Sequence, residues 1–286
     1  MYPADRHDIA VRTLVMPDGL RVRALECGPA DGTPVLFVHG WNCSVYTFRR
    51  NYLPLAAGGC RVMAADLRGH GLSDKPLRRN AYTVDALAAH LLEIMDALGA
   101  RRATLVAHSM GGAIAARAAL RAPERVSRLV LLAPVGFGEV SLMSVMKLLT
   151  PSVVKPVLPH LIKRWMVGFG LRMAYHDPRR FDARDVDEYW APTQFPEFVL
   201  AMREVVHAFR WNAVTEDELR RLVAPTLVMF GRCDRFVDPD RAEELARALP
   251  NGRCELLPDV GHVIPEEAPE RVNAAILEFL RGAAAA

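Results

Sequence analysis

The chain has 286 residues, 51% of them hydrophobic, with 36 Lys and Arg against 33 Asp and Glu. That apolar share supports a sizeable core and excludes a disordered or collagen-like chain. A formal charge of +3 with both signs dispersed is too weak for a nucleic-acid footprint.

The opening MYPADRHDIA lacks the apolar centre of a secretory signal, and no uninterrupted apolar run approaches the ~20 residues of a membrane helix. Residues Ile9 to Gly28 alternate apolar and polar on both sides of Pro17-Asp18-Gly19, the pattern of a β-hairpin. PVLFVHG (Pro34 to Gly40) is a continuous apolar run ending in glycine, as expected of a strand buried on both faces. CRVMAADLRGHG reads as a similar strand. TVDALAAHLLEIMDALG (Thr83 to Gly99) has helical periodicity, an N-cap candidate in Thr83 and glycine at its end.

Next come a strand ATLVAH, a helix from about Met110 to Leu120, and a strand within VSRLVLLAPVG. Strands alternating with helices predict an α/β fold with a mostly parallel sheet covered on both faces. From Gly136 to about Leu222 the alternation stops, and helical stretches are broken by six prolines between Pro151 and Pro196. The pattern resumes with strand APTLVMFG, helix PDRAEELARALP, strand RCELLPD and a closing helix EEAPERVNAAILEFLRG. The expected division is a core of residues 1–135 and 223–286, with residues 136–222 as a helical cap inserted before the penultimate strand.

Five cysteines, Cys27, Cys43, Cys60, Cys233 and Cys254, form an odd, widely spaced set without a C-x-x-C pair. They read as reduced, mostly buried thiols of a cytoplasmic protein. Neither H-E-x-x-H nor a Cys/His cluster with ligand spacing occurs, so no metal and no other cofactor is expected.

Chemistry concentrates in AHSMGG. Ser109 stands where a buried strand turns into a helix, with Ala107 two before it and Gly111 two after. A strained turn of this kind, called a nucleophile elbow, needs small residues at both places because strand and helix backbones pass closely. It presents the serine at the carboxyl edge of the sheet, over the amides of a helix N-terminus. A serine hydroxyl is a weak nucleophile and needs a base. Of nine histidines, His108 should point away at the elbow. His39 and His70 adjoin glycines after earlier strands. His262, in DVGHVIPEEAPE, follows the last strand and would sit at the same edge as Ser109. The base in turn needs an acid. MFGRCDRFVDPD offers Asp234, Asp238 and Asp240, and Asp234 lies nearest the strand end. Asp240 suits first-turn charge on the next helix, and Asp238 its cap.

The order serine, acid, histidine, each on a loop after a strand, is the triad order of one fold family. With HGW, DLRGHGLSD, AHSMGG, GRCDRF and GHVIPEEAPE all in order, the chain resembles the α/β-hydrolase-fold superfamily over nearly its whole length. Within it, the resemblance is to the serine-nucleophile esterase and C–C hydrolase-like branch. The resemblance implies an oxyanion hole from the backbone N–H groups of Trp41 and Met110. It also implies that Asp66 to Asp74 is a structural loop under the active-site floor.

With serine at the elbow in place of aspartate, acyl transfer is favoured over epoxide opening or halide displacement. The function expected is hydrolysis of carboxylic esters with an apolar acyl or alcohol part, through an acyl-enzyme on Ser109. Such an enzyme would be a monomer or homodimer acting on a small molecule. Trp165, Trp190, Trp211, Phe169, Phe195, Phe198, Phe209 and the methionines of the cap would line an apolar pocket or pack the cap onto the core. Open alternatives on the same residues are C–C hydrolysis of ring-fission dienoates, cofactor-free perhydrolase or haloperoxidase-like activity, and a ligand-binding receptor. For the dienoate reading, HGWNCS departs from the glycine-rich run that often follows H-G.

Overall fold

A computed structural model of the chain describes residues 1–4, 6–138 and 140–282. The alternating runs around Pro17-Asp18-Gly19 pair as an antiparallel hairpin of β1 (Ala10–Val15) and β2 (Arg21–Cys27). The remaining strands are β3 (Thr33–Val38), β4 (Cys60–Ala65), β5 (Ala103–His108), β6 (Val126–Leu132), β7 (Thr226–Gly231) and β8 (Gly252–Leu257). Together they form one eight-stranded sheet of order β1-β2-β4-β3-β5-β6-β7-β8. Every pairing from β4 to β8 is parallel. The hairpin adds the antiparallel edge through β2 and β4.

The helices before β6 are α1 (Tyr52–Ala57), α2 (Val84–Ala97) and α3 (Met110–Arg121). Among the described residues six more separate β6 from β7: α4 (Ser141–Leu149), α5 (Leu158–Leu161), α6 (Arg164–Ala174), α7 (Ala183–Trp190), α8 (Pro196–Ala208) and α9 (Glu216–Arg220). The last are α10 (Arg241–Ala248), α11 (Ile264–Glu267) and α12 (Pro269–Arg281). Among the described residues the segment between β6 and β7 contains no strand, as its broken pattern suggests. All residues of β5 and β7 are buried, which only a sheet covered on both faces allows.

Two local differences from the sequence expectation have physical causes. The closing helix is split, because Ala268 precedes Pro269 and is driven out of the helical region to φ −134°, ψ 53°. Helix α1 carries no periodic signal, being only six residues long. Thr83 does cap α2, accepting the Ala86 N–H at 3.2 Å. Of the five thiols, Cys27 and Cys60 are buried while Cys43, Cys233 and Cys254 are half-buried, and all are free.

A buried polar cluster fastens the helical insertion to the core. Arg49 donates to Asp185 of α7 at 2.5 Å and to Glu266 of α11. Glu266, with no exposed surface, also accepts the hydroxyls of Tyr175 (2.9 Å) and Tyr189. The Tyr46 hydroxyl adds a bond to Asp185 at 2.6 Å. Removing one member of such a network leaves buried charge uncompensated, which costs about 3–5 kcal/mol. Arg49→Met is therefore expected to lower the stability by that amount in urea denaturation. A midpoint equal to that of the wild type would show that the cluster does not tie the two parts together.

Candidate active site

At the C-terminal edge of the sheet the chain leaves β5 through Ser109 with φ 51° and ψ −119°. A non-glycine residue held there stores strain of about 1–3 kcal/mol, which the surroundings must over-determine. They do so through the Ser109 N–H bonded to Leu132 O at 3.0 Å, and Ser109 O accepting Gly112 N–H at 2.9 Å and Val135 N–H at 3.0 Å. Gly111 is required by close approach, since a Cβ there would lie 2.3 Å from the Val38 carbonyl oxygen of β3. The turn leaves Ser109 half-buried at the start of α3, with its side chain free of any capping bond.

His262 comes from the loop between β8 and α11, and its ring reaches across to that serine. The Ser109 hydroxyl donates to Nε2 of His262 at 3.0 Å. On the other side of the ring, Nδ1 donates to Oδ2 of Asp234 at 2.8 Å. Asp234 lies three residues past β7, its side chain wholly buried. Its Oδ1 accepts the Phe236 and Val237 N–H groups at 2.8 and 3.1 Å. Burial works to raise the Asp234 carboxyl, but the adjoining His262 ring and these two amides outweigh it and hold the group below the usual range. The three residues, 125 positions apart between Ser109 and Asp234 and a further 28 to His262, thus form one hydrogen-bonded chain. Asp238 and Asp240 are both exposed. Asp238 accepts the Asp240 N–H at 3.0 Å in a turn leading into α10, while Asp240 occupies the cap position without a side-chain bond.

Three further groups hold this arrangement, and the sequence reading assigned none of them a role. His108 points away from the serine side chain, yet its Nε2 donates to the backbone carbonyl of His262 at 3.0 Å. Burial, and then the neighbouring His262, push His108 down to about 3, so it remains a neutral ring. Glu267 accepts the N–H groups of Gly261 (2.7 Å), His176 and Asp177 (2.9 Å each), clamping the loop that carries His262. His39 donates from Nδ1 to Gly40 O at 2.8 Å and accepts the Leu67 N–H on Nε2 at 3.0 Å. The carbonyl of Gly40 and the N–H of Trp41 belong to one planar trans peptide. Fixing the carbonyl therefore sets the direction of the Trp41 amide. The H-G dipeptide was the available signal for His39; nothing in the sequence pattern marks Glu267.

The Gly40 turn lies directly against the serine, since a Cβ on Gly40 would be 3.1 Å from the Ser109 Cβ. Met110 is the first residue of α3, and its N–H is one of the helix's unspent amides. Among the described residues neither the Trp41 nor the Met110 N–H has an acceptor. Both donors are thus unspent. The loop Asp66–Asp74 holds structure instead. Asp66 binds Arg23 at 2.7 Å and accepts the Val45 and Leu72 amides at 2.8 Å each. Packing around Cys43 pushes its thiol up to about 12, which removes it as a nucleophile. Among the described residues no cluster of His, Cys, Asp and Glu could hold a metal ion.

Beside Trp41 and Asn42, a cavity of about 130 Å³ is lined by Met146, Phe198, Met202 and Val206 among others. A wider cleft of about 910 Å³ opens between the ends of β6 and β7 and helices α9 and α10, bordered by Phe137, Val237 and Arg241. Of the aromatic residues expected to line a pocket, Phe198 does so. Phe209 and Trp211 are buried against each other, their rings 4.9 Å apart. Trp165 and Phe169 of α6 instead face outward, the inner side of that helix being the one that turns Val167 to the cavity, and Phe195, at the start of α8, is exposed as well.

The family profile described as alpha/beta hydrolase fold matches residues 33–269. An uncharacterized hydrolase of Bacillus subtilis, YugF, is 32% identical over 252 residues, covering 85% of this chain and 88% of the relative. A 2-hydroxy-6-oxo-6-phenylhexa-2,4-dienoate hydrolase of Burkholderia cepacia is 30% identical, covering 87% of this chain and 88% of its own. Among solved structures, one described as a membrane phospholipase A superposes with a TM-score of 0.84 at 25% identity, covering 98% of this chain and 88% of that one.

Proposed function

The chain belongs to the α/β-hydrolase fold family and is a hydrolase of it, and from that premise we propose that it cleaves carboxylic esters through an acyl-enzyme on Ser109. The observation that carries this reading is the unbroken chain from the Ser109 hydroxyl through His262 to the buried Asp234. In the proposed reaction His262 Nε2 takes the serine proton as Oγ attacks the ester carbonyl. Asp234 stabilises the imidazolium that forms. The Trp41 and Met110 amides meet the tetrahedral oxyanion, each contributing about 10²–10³ in rate. His262 then protonates the leaving alcohol and activates the water that clears the acyl group. No metal or cofactor is needed for any of these steps.

We assign residues 136–222 as a cap over this edge of the sheet and the cavity beside Trp41 as the acyl subsite. A dry apolar cavity of about 150 Å³ accommodates a benzene ring, so a space of about 130 Å³ suits a short acyl chain or one aromatic ring. The reading places the enzyme in the cytoplasm with a small apolar ester as substrate. Hydrolysis of ring-fission dienoates is the second reading, favoured by the 30% identity to the Burkholderia cepacia enzyme.

A panel of p-nitrophenyl esters of increasing acyl length, assayed beside a ring-fission dienoate, separates the two. Sustained ester turnover that falls off beyond about six carbons is expected. Turnover confined to the dienoate would reject the ester reading in favour of the second.

A further inference from the structure

The helical insertion turns apolar side chains outward. On α4, Leu142, Val145, Leu148 and Leu149 are exposed, with Leu148 79% accessible. On α6, Trp165 (71%) and Phe169 (60%) stand one turn apart and continue to Met173. Between them Val153 (82%), Val157 and Leu161 extend the same character. The inner residues Met146 of α4, Leu158 of α5 and Val167 of α6 all line the one cavity beside Trp41. The outer faces of these helices consequently share one side of the insertion. A monomer that exposes large apolar residues together is presenting a binding surface.

Charge identifies what fits there. From Ser141 to His176 the chain contains Lys147, Lys155, Lys163, Arg164 and Arg172 and not one Asp or Glu, although the whole chain has 33 of them. Lys155 and Arg164 are drawn into ion pairs with Glu204 and Asp187. Among the described residues Lys147, Lys163 and Arg172 have no ion-pair partner. An apolar stripe with exposed tryptophan and phenylalanine, flanked by unpaired cations on a segment that carries no carboxylate of its own, has the makeup of an interfacial membrane helix. A second copy of the chain would instead bring these cations against one another. The geometry points to the outer face of α4 to α6 as a docking surface for an anionic phospholipid bilayer, peripheral in kind. Among the described residues no helix is long and apolar enough to cross a membrane. This inference goes beyond the proposed reaction and does not depend on it.

Co-sedimentation with phosphatidylcholine vesicles, with and without phosphatidylglycerol, tests the surface on the full chain. Binding is expected to the phosphatidylglycerol vesicles and to weaken as salt rises. The double variant Trp165→Ser, Phe169→Ser should weaken it about tenfold or more. Each of Lys147→Gln, Lys163→Gln and Arg172→Gln should weaken it about fivefold. These positions are exposed, so thermal unfolding midpoints equal to that of the wild type establish that the variants are folded. Failure of the folded protein to bind anionic vesicles, or undiminished binding by the double variant, would overturn the proposal. Patch-dependent dimerisation in sedimentation velocity without vesicle binding would overturn it in favour of a second copy.

Discussion

Ser109→Ala is expected to lower ester turnover on the order of 10⁴–10⁶-fold while leaving the fold intact. The substitution removes only Oγ, whose recorded partner is His262 Nε2 at 3.0 Å. Alanine at this position inherits the same backbone strain at φ 51° and the same main-chain bonds to Leu132, Gly112 and Val135. No core cavity forms, since the serine is only half-buried. The variant should thus melt at the wild-type temperature and bind substrate, with the oxyanion amides supplying whatever rate remains. Initial rates on a p-nitrophenyl ester together with a thermal melt check both halves. Turnover within about tenfold of wild type in a folded variant would show that the serine is not the nucleophile.

Asp234→Asn should cost about 10⁴-fold in turnover, for a reason specific to how the carboxylate is held. Oδ1 of Asp234 receives two amide protons, from Phe236 and Val237. In asparagine only the carbonyl oxygen can accept them, so the side chain must place its NH₂ group toward His262. Nδ1 then has to accept, which moves the ring proton to Nε2 and leaves no lone pair facing Ser109. Asp238→Asn makes the contrasting control. Asp238 is exposed and accepts the Asp240 N–H, a bond asparagine makes equally well. Its turnover should stay close to wild type. Equal losses in the two variants would show that Asp234 does not have the assigned place beside His262.

Much of this arrangement is legible because the chemistry of an elbow is local. Ser109, the strand before it and Gly111 after it lie within a few residues, and the need for a small residue beside β3 is a packing requirement that a short motif can carry. His262 and Asp234 are legible through their position after strands, since strand ends of a parallel sheet share one edge. What escapes is the support that depends on three-dimensional proximity alone. Glu267 is given no role by any motif in the sequence, and only the fold brings it to the amides of Gly261, His176 and Asp177. His108 reads as the elbow's idle neighbour, whereas its bond to the His262 carbonyl spans 154 positions.

The helical insertion is the least legible part for a different reason. Its periodicity gives helices, but apolar residues on a short helix do not reveal whether they face inward or outward. Trp165 and Phe169 are expected from the sequence to line a pocket or to pack the cap onto the core, and they stand at the surface in the fold. Phe198 is buried in the core cluster and lines the cavity as well. The Arg49 cluster was equally hidden, because its partners Asp185 and Glu266 come from two separate helices.

The central claim is that Ser109 becomes the attacking atom because His262, steadied by Asp234, takes its proton. Labelling with a fluorophosphonate followed by peptide mass spectrometry tests this most directly. The account predicts a single phosphonyl group on the peptide containing Ser109, formed far more slowly in His262→Ala and absent in Ser109→Ala. A label on another residue, or ester turnover in a protein whose Ser109 stays unmodified, would contradict it.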